Sequence, residues 1–210
     1  MFTKYELRDI IAVSVVVAFS ITLFENLNGF LLALASMFVI IFFNTSIKKA
    51  TAEYFEMGLE TKLWQFKRFG HKPIHKFSKP IPAGLIFPLI FSFIFAVFKG
   101  FTWMASLVYS VNPKPYKVAR RHGYYSYSET SESEIGLIAA AGIFVNLLLA
   151  LAGYLIGYPE FAKYNIWFAF FNLIPISNLD GNKIFFGNYL IWSILAIITL
   201  LTLAGTFVIA

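Results

Sequence analysis

Cysteine is absent from this 210-residue chain, and charged residues make up only 13% of it. Without cysteine the chain forms no disulfide, and it has no thiolate to act as a nucleophile or a metal ligand. The net charge of +6 is accompanied by no nucleic-acid-binding motif. We therefore assign the charge to membrane topology and lipid headgroups, and we expect no nucleic acid partner.

Hydrophobic residues, in contrast, make up 59% of the chain, and the mean hydropathy of +0.71 is far from that of a soluble domain. Uncharged runs cover residues 10–24, 27–43, 81–98, 100–113, 135–159, 164–179 and 184–210. A helix needs about 20 mainly apolar residues to cross the hydrocarbon layer. The runs therefore predict about six transmembrane helices, with 81–113 forming one kinked segment. We expect an all-α, multi-pass integral membrane protein in which residues 1–210 form a single transmembrane domain.

Three segments outside these runs have patterns of their own. The spacing of Thr3 and Glu6 is that of a capping box, which predicts a helix beginning at Thr3. Residues 60–69 alternate in part, which predicts either a short strand or hairpin at the membrane surface or an interfacial loop, and we assign 60–80 as interfacial or re-entrant. Residues 112–134 are predicted to form a polar loop. The distribution of Lys and Arg favours a cytoplasmic N-terminus.

The most informative stretch is residues 172–181, NLIPISNLDG, a polar, turn-forming segment between two long apolar runs. An ionisable group at membrane depth is costly, so it usually faces the interior of a helical bundle and marks a site. Asp180 is that group here. Two further polar features lie on earlier spans: residues 44–48, NTSIK, and residues 141–146, a small-residue stretch that ends in Asn146.

These three features, in this order, resemble the site-2 proteases, which are intramembrane zinc metalloproteases, and in particular their archaeal six-span form. In that family the second span carries H-E-x-x-H, a later span carries a small-residue stretch ending in Asn, and the next carries an Asn/Pro-rich turn closing with L-D-G. Asn172, Pro175 and Asp180 match the last element. The resemblance implies a prokaryotic cell membrane, with Asp180 as the third zinc ligand. It also implies a groove for a transmembrane segment at Asn146, Asn172, Pro175 and Asp180.

The zinc motif itself is degenerate. Aligned on the family, the two zinc histidines fall on Asn44 and Lys48, and the catalytic glutamate falls on Thr45. A protonated lysine cannot bind a metal, and threonine cannot act as a general base at neutral pH. Asp180 therefore stands as a relic ligand, and we predict no catalytic residue, no metal and no cofactor.

Other chemistries have weaker support in the sequence. His71 and His75 are separated by a proline that disfavours one continuous helical face, and no carboxylate nearby completes a metal site. An aspartyl dyad needs a second buried aspartate, yet the only other one is Asp9, near the N-terminus. A pair formed by Lys48 with either Ser46 or Thr45 is poorly placed for proton transfer on a helix.

We therefore expect a catalytically inactive, site-2 protease-like membrane protein, a pseudoprotease that binds or helps to assemble another membrane protein. Its partners would be membrane lipid and a transmembrane segment of that other protein. One alternative is an active intramembrane metallopeptidase with an atypical site, which would require zinc. A second alternative is a structural subunit of a membrane complex.

Without a metal, Asp180 would be a buried anion that needs a counter-charge. We predict that the Lys48 ammonium pairs with Asp180 and that Asn44, one turn earlier, donates a further hydrogen bond to it. The alternative is that Lys48 extends to the interface while backbone amides of its own turn cap Asp180. For Asn146, the alternatives are an interhelical hydrogen bond and a substrate contact.

Overall fold

The computed structural model describes residues 2–23, 26–68, 76–95, 102–114 and 130–208. The described residues are mostly helical, as predicted, and seven helices and four strands lie among them. The three histidines, His71, His75 and His122, lie outside these residues, as does most of the predicted polar loop 112–134. The prediction that His71 and His75 do not form a metal site therefore stays a prediction.

The elements follow one another in a simple order. The helices are α1 (Lys4–Thr22), α2 (Leu27–Tyr54), α3 (Ala83–Ile94), α4 (Glu132–Leu155), α5 (Pro159–Leu173), α6 (Asp180–Gly187) and α7 (Tyr189–Val208). The strands are β1 (Met57–Leu63), β2 (Phe66–Arg68), β3 (Lys76–Ile81) and β4 (Leu107–Pro113). Strand β1 pairs with β4, and β2 pairs antiparallel with β3.

Local sequence signals explain where two helices begin. The Thr3 hydroxyl accepts a hydrogen bond from the Glu6 amide at 3.3 Å, and the Glu6 carboxylate accepts one from the Thr3 amide at 2.7 Å. The predicted capping box is therefore confirmed. Ser131 and Glu134 form a second capping box at the start of α4. Each box satisfies backbone donors that the first helical turn leaves unpaired.

Three helices are long and apolar enough to cross a membrane: Leu27–Tyr54, Glu132–Leu155 and Tyr189–Thr206. They support the prediction of a membrane-embedded protein. Helix α3 is apolar but shorter, and it contains Pro88. The finer prediction of six spans stays a prediction.

Two apolar runs do not form the single continuous helices that were predicted for them. Residues 107–113, predicted as part of a kinked helical segment, form strand β4 instead. A short apolar run does not distinguish a strand from a buried helix by periodicity alone, which is the reason for the error. Run 184–210 is divided at Asn188, whose side-chain oxygen accepts from the amides of Leu190 and Ile191 at 3.0 and 3.1 Å. That carboxamide caps the first turn of α7 and so begins a new helix.

The chain divides into two compact units. The first comprises Met1–Phe38 and Lys62–Val108. In this unit Trp64 stacks on Trp103 with ring centroids 6.0 Å apart, and Phe87 meets both rings edge-on at 5.2 and 5.8 Å. This aromatic cluster packs the segment before β2, helix α3 and the segment before β4 against one another.

The second unit comprises Val39–Thr61 and Tyr109–Ala210, and α4 packs there against α5, α6 and α7. Its core is formed by buried apolar side chains that include Ile138, Ile143 and Ile184. Two glycines allow α4 and α6 to approach closely. A β-carbon added to Gly136 would lie 2.9 Å from the Lys183 carbonyl oxygen and 3.1 Å from the Gly187 α-carbon. The backbones of α4 and α6 meet at this point because neither glycine carries a side chain.

The close approach of α4 and α6 at Gly136 leads to a prediction about stability. We expect Gly136→Ala to destabilise the protein by about 1–3 kcal/mol, because the added methyl group must push two helix backbones apart. The matched control is Gly205→Ala on α7, where an added β-carbon meets nothing within 4 Å. Thermal unfolding in detergent should show a lower midpoint for the first variant and an unchanged or higher one for the control. Equal midpoints for the two variants would contradict the helix crossing.

Candidate functional site

The predicted site residue Asp180 is fully buried at the first position of α6. The preceding turn positions it: Ser177 has a positive φ of 53°, and Leu179 is extended, so the chain reverses before the helix begins. A carboxylate in the first turn interacts favourably with the positive end of the helix dipole. The stabilisation from the helix dipole is small compared with the cost of burying a full negative charge, so Asp180 needs a counter-ion.

The counter-ion is Lys48 of α2, whose ammonium donates to the Oδ2 atom of Asp180. The two side chains are 9% and 0% exposed, so water screens the pair very little. The predicted pairing is confirmed, and the alternative in which Lys48 extends to the interface is wrong. The Oδ1 atom of Asp180 is buried and has no hydrogen-bond partner among the residues that the structure describes, so the predicted alternative of a backbone-capped carboxylate is wrong too.

Asn44 has a different role from the predicted one. Its side-chain nitrogen donates to the carbonyl oxygen of Gly142 at 2.9 Å, rather than to Asp180. Gly142 also makes room for the lysine, because a β-carbon there would overlap the Cε atom of Lys48 and the side-chain nitrogen of Asn44. The small-residue stretch on α4 is therefore the surface on which both polar side chains of α2 lie.

A second lysine and a tyrosine complete the cluster, and sequence reasoning missed both. Lys183 donates to the backbone carbonyl of Tyr109, and its Nζ atom lies 3.3 Å from the centroid of the Tyr109 ring. Lys48 lies 5.5 Å from the same centroid. The Tyr109 hydroxyl donates to the Ile135 carbonyl at 2.7 Å. The i+3 spacing from Asp180 was an available signal for Lys183, whereas Tyr109 had no local signal.

The ionisation of these two residues follows from their surroundings. Burial lowers the pKa of Lys183 to about 8, with Lys48 lowering it further while Asp180 opposes the shift. Burial also raises the pKa of Tyr109 well above its ordinary value, and the negative charge of Asp180 adds to that increase. Tyr109 therefore stays a neutral hydroxyl at physiological pH and serves as an aromatic surface for the two ammonium groups.

The remaining predicted residues lie in contrasting environments. Thr45 and Asn146 are buried, and neither side-chain polar atom of Asn146 has a hydrogen-bond partner within the described part of the chain. The interhelical hydrogen bond predicted for Asn146 is therefore not found in that part. Asn172 is buried and donates to the Phe168 carbonyl of its own helix at 2.9 Å. Pro175 is exposed. The structure thus brings Asn44, Lys48 and Asp180 together with Gly142.

At the position where the resemblance would place a zinc ion, the residues present do not fit one. Zinc is bound in proteins by imidazole, thiolate or carboxylate groups, and Asn44, Thr45 and Lys48 supply none of these. The Lys48 ammonium, moreover, contacts the Asp180 oxygen and carries a positive charge that would repel a cation. Over the described ranges, no three His, Cys, Asp or Glu side chains are grouped so as to hold a metal.

No family model matches the chain, and neither the curated proteins nor the solved structures contain a match to it.

The buried ion pair of Lys48 and Asp180 leads to a second prediction about stability. We expect Lys48→Met and Asp180→Asn each to destabilise the protein by about 3–5 kcal/mol, because each leaves the other charge buried without a partner. The double variant should cost much less than the sum of the two, since it removes both charges. The measurement is a double-mutant cycle by denaturant unfolding in detergent.

A second ion pair in the same unit serves as the control. Lys114 lies 2.8 Å from Glu53, and the Glu53 side chain is 74% exposed. Because solvent screens such a pair, its own cycle with Lys114→Met and Glu53→Gln should show little coupling. Strictly additive effects at Lys48 and Asp180 would show that their contact does not stabilise the fold.

Proposed function

We propose that this protein is a catalytically inactive relative of the site-2 proteases that binds, or helps to assemble, another membrane protein. The observation that carries the proposal is the Lys48–Asp180 ion pair. Lys48 stands where the resemblance expects a zinc histidine, and Asp180 stands where it expects the third ligand. An ammonium group on the relic ligand supplies the positive charge that a metal would otherwise supply.

Loss of hydrolysis follows from the chemistry of these side chains. Zinc-dependent cleavage of a peptide needs a metal that lowers the pKa of water and a carboxylate that accepts its proton. Thr45 replaces that carboxylate, and its hydroxyl is not a base at neutral pH. Lys48 cannot replace the metal, because an ammonium group has no open coordination position for water. Neither Thr45 nor Lys48 can therefore activate a water molecule for this reaction.

A partner-binding role is supported by the turn between α5 and α6. Pro175, Ile176, Ser177 and Asn178 are exposed and non-helical, between a helix that ends at Leu173 and the buried Asp180. Non-helical backbone at membrane depth is tolerated only where protein or water covers it. We therefore assign residues 175–178, which we name the α5–α6 turn, as the contact for a transmembrane segment of the partner.

The same proposal includes the membrane topology that the resemblance implies. The three long apolar helices, α2, α4 and α7, would be joined by the shorter helices α1, α3 and α5 to give six spans in a prokaryotic cell membrane. Helix α5 has 15 residues and is therefore about 22 Å long, which is short for the hydrocarbon layer. The turn that follows this short helix has exposed side chains, which a partner helix would contact.

The absence of catalysis is tested on the purified protein. We expect no stoichiometric zinc by elemental analysis after purification without chelators, and no cleavage of transmembrane peptides. Restoring the motif with Asn44→His, Thr45→Glu and Lys48→His together should allow zinc binding without peptidase activity, because the groups around a metal also tune it. One equivalent of zinc in the natural protein, lost on Asp180→Asn, would overturn the assignment and favour the metallopeptidase alternative.

The partner contact is tested by site-specific photocrosslinking in native membranes. A photoreactive residue at Asn178 in the α5–α6 turn should yield a discrete product with a transmembrane segment of one other protein, and that protein should remain uncleaved. The matched control is Leu201 on α7, which is 69% exposed and is expected to face lipid. Protein products at Leu201 alone would favour a structural subunit instead, and lipid adducts alone at Asn178 would contradict the proposed contact.

A further inference from the structure

The hairpin formed by β2 and β3 combines exposed aromatic rings with exposed cations. Phe66 and Phe77 are 37% and 36% exposed, and their ring centroids lie 6.3 Å apart across the two strands. Lys67, which follows Phe66, and Lys79, two residues after Phe77, are exposed as well. Exposed aromatic rings beside lysines are typical of segments that lie at a membrane–water interface. The ring pair stabilises the hairpin across its two strands, but neither ring is buried in the core of the unit, and both lysines are exposed.

The charge pattern of the sequence around the hairpin has a single sign. Residues 61–81, which contain the hairpin, hold six of the 17 lysines and arginines and none of the 11 acidic residues. Across the hairpin itself, the backbone of Arg68 pairs with that of Lys76. An acid-free basic segment is attracted to anionic surfaces, and the attraction falls off within a Debye length. The partner that complements this segment is therefore negatively charged.

The contacts at the base of the hairpin place it at the polar end of two apolar helices. The Leu63 amide donates to the carboxylate of Asp9 at 3.4 Å, and the Gly84 amide donates to the Trp64 carbonyl at 3.0 Å. Strand β1 thus ends beside the start of α1, and the segment that leads into β2 lies beside the start of α3. At the other end of both helices, the Ser92 hydroxyl donates to the Ser20 carbonyl.

Helices α1 and α3 therefore begin near the base of the hairpin and run in the same direction. The first turns of α1 carry four charged residues, Lys4, Glu6, Arg8 and Asp9, and the helix is uncharged from Ile10 onward. Helix α3 carries no charge at all. Exposed charged side chains such as those of Lys4 and Arg8 stay in water, and uncharged helices enter the hydrocarbon layer, so the base of the hairpin lies at the boundary between the two.

We infer that the β2–β3 hairpin binds the anionic headgroups of the membrane surface on the side where α1 begins. Lys67 and Lys79 contact lipid phosphates, while the rings of Phe66 and Phe77 enter the interface beside them. The occupant is anionic phospholipid rather than an acidic protein, because the rings need an apolar layer next to the charges and the membrane provides both. This inference rests on the topology proposed above, in which α1 and α3 enter the membrane, but it uses no residue of the Lys48–Asp180 cluster.

The absence of cysteine makes a direct test simple. Ser78→Cys creates the only thiol in the chain at an exposed position between Phe77 and Lys79, and it accepts an environment-sensitive fluorophore. The labelled full chain is placed in nanodiscs of phosphatidylcholine, with or without phosphatidylglycerol, that contain a lipid carrying a shallow quencher. We expect stronger quenching and a blue-shifted emission in the phosphatidylglycerol discs, and we expect high salt to reverse both effects.

Two sets of variants distinguish an effect of the hairpin residues from an effect of the net charge of the protein. Lys67→Gln with Lys79→Gln lowers the net charge by two and should abolish the phosphatidylglycerol-dependent quenching. Lys4→Glu lowers the net charge by the same amount at an exposed position at the start of α1, where a carboxylate suits the helix dipole, and should leave the quenching in place. Phe66→Ser with Phe77→Ser should lose the blue shift in the phosphatidylglycerol discs.

Several results would overturn the inference. Equal quenching in the two kinds of disc would show that anionic lipid is not recognised. Equal losses in the Lys4→Glu variant and the hairpin double variant would assign the effect to net charge rather than to the hairpin. A label that is protected only when an acidic protein is added, and not by lipid, would identify a protein partner instead. The altered side chains are exposed, so unchanged melting temperatures should confirm that every variant folds.

Discussion

A single buried charge pair constrains the second unit of this protein. Asp180 on α6 and Lys48 on α2 are far apart in sequence, and each would be a costly isolated charge without the other. A buried pair adds little net stability compared with apolar residues of similar size, because both charges must leave water. Its stronger effect is on arrangement, since α2 and α6 have few relative positions at which both charges are satisfied. Gly142 then fixes α4 against the same two helices, because no larger residue leaves space for the Lys48 side chain.

Two kinds of feature could be predicted from sequence: those set by neighbouring residues in the chain, and those required by the high cost of burying a charge. The start of α1 follows from the Thr3 and Glu6 pair alone, and the continuation of α2 past its apolar stretch follows from the lack of glycine and proline between Asn44 and Tyr54. The Lys48–Asp180 pair was predictable for a different reason. A lone buried carboxylate demands a cation whatever the details of packing, and the aligned helix face offered only one.

Features that depend on how backbones approach one another could not be predicted in this way. Asn44 donates to the Gly142 carbonyl because α4 comes close enough for its backbone to compete with Asp180, and sequence does not report that distance. Tyr109 joins the cluster from β4, a strand whose apolar residues fitted a helix equally well. The division between α6 and α7 depends on one capping side chain, Asn188, within an otherwise uncharged run.

The second lysine shows how the cluster tolerates more positive than negative charge. Asp180 favours the charged form of Lys183, yet burial lowers the pKa of this lysine to about 8, so further contacts contribute to its stabilisation. The face of the Tyr109 ring and its backbone carbonyl supply this without a second carboxylate. Under the proposed relation to the site-2 proteases, a side chain of α2 has replaced an ion. An ion exchanges with solution, whereas Lys48 is covalently part of the chain. Under that proposal, the change would convert a metal position into a permanent link between α2 and α6, without altering the helix and turn that carry Asp180.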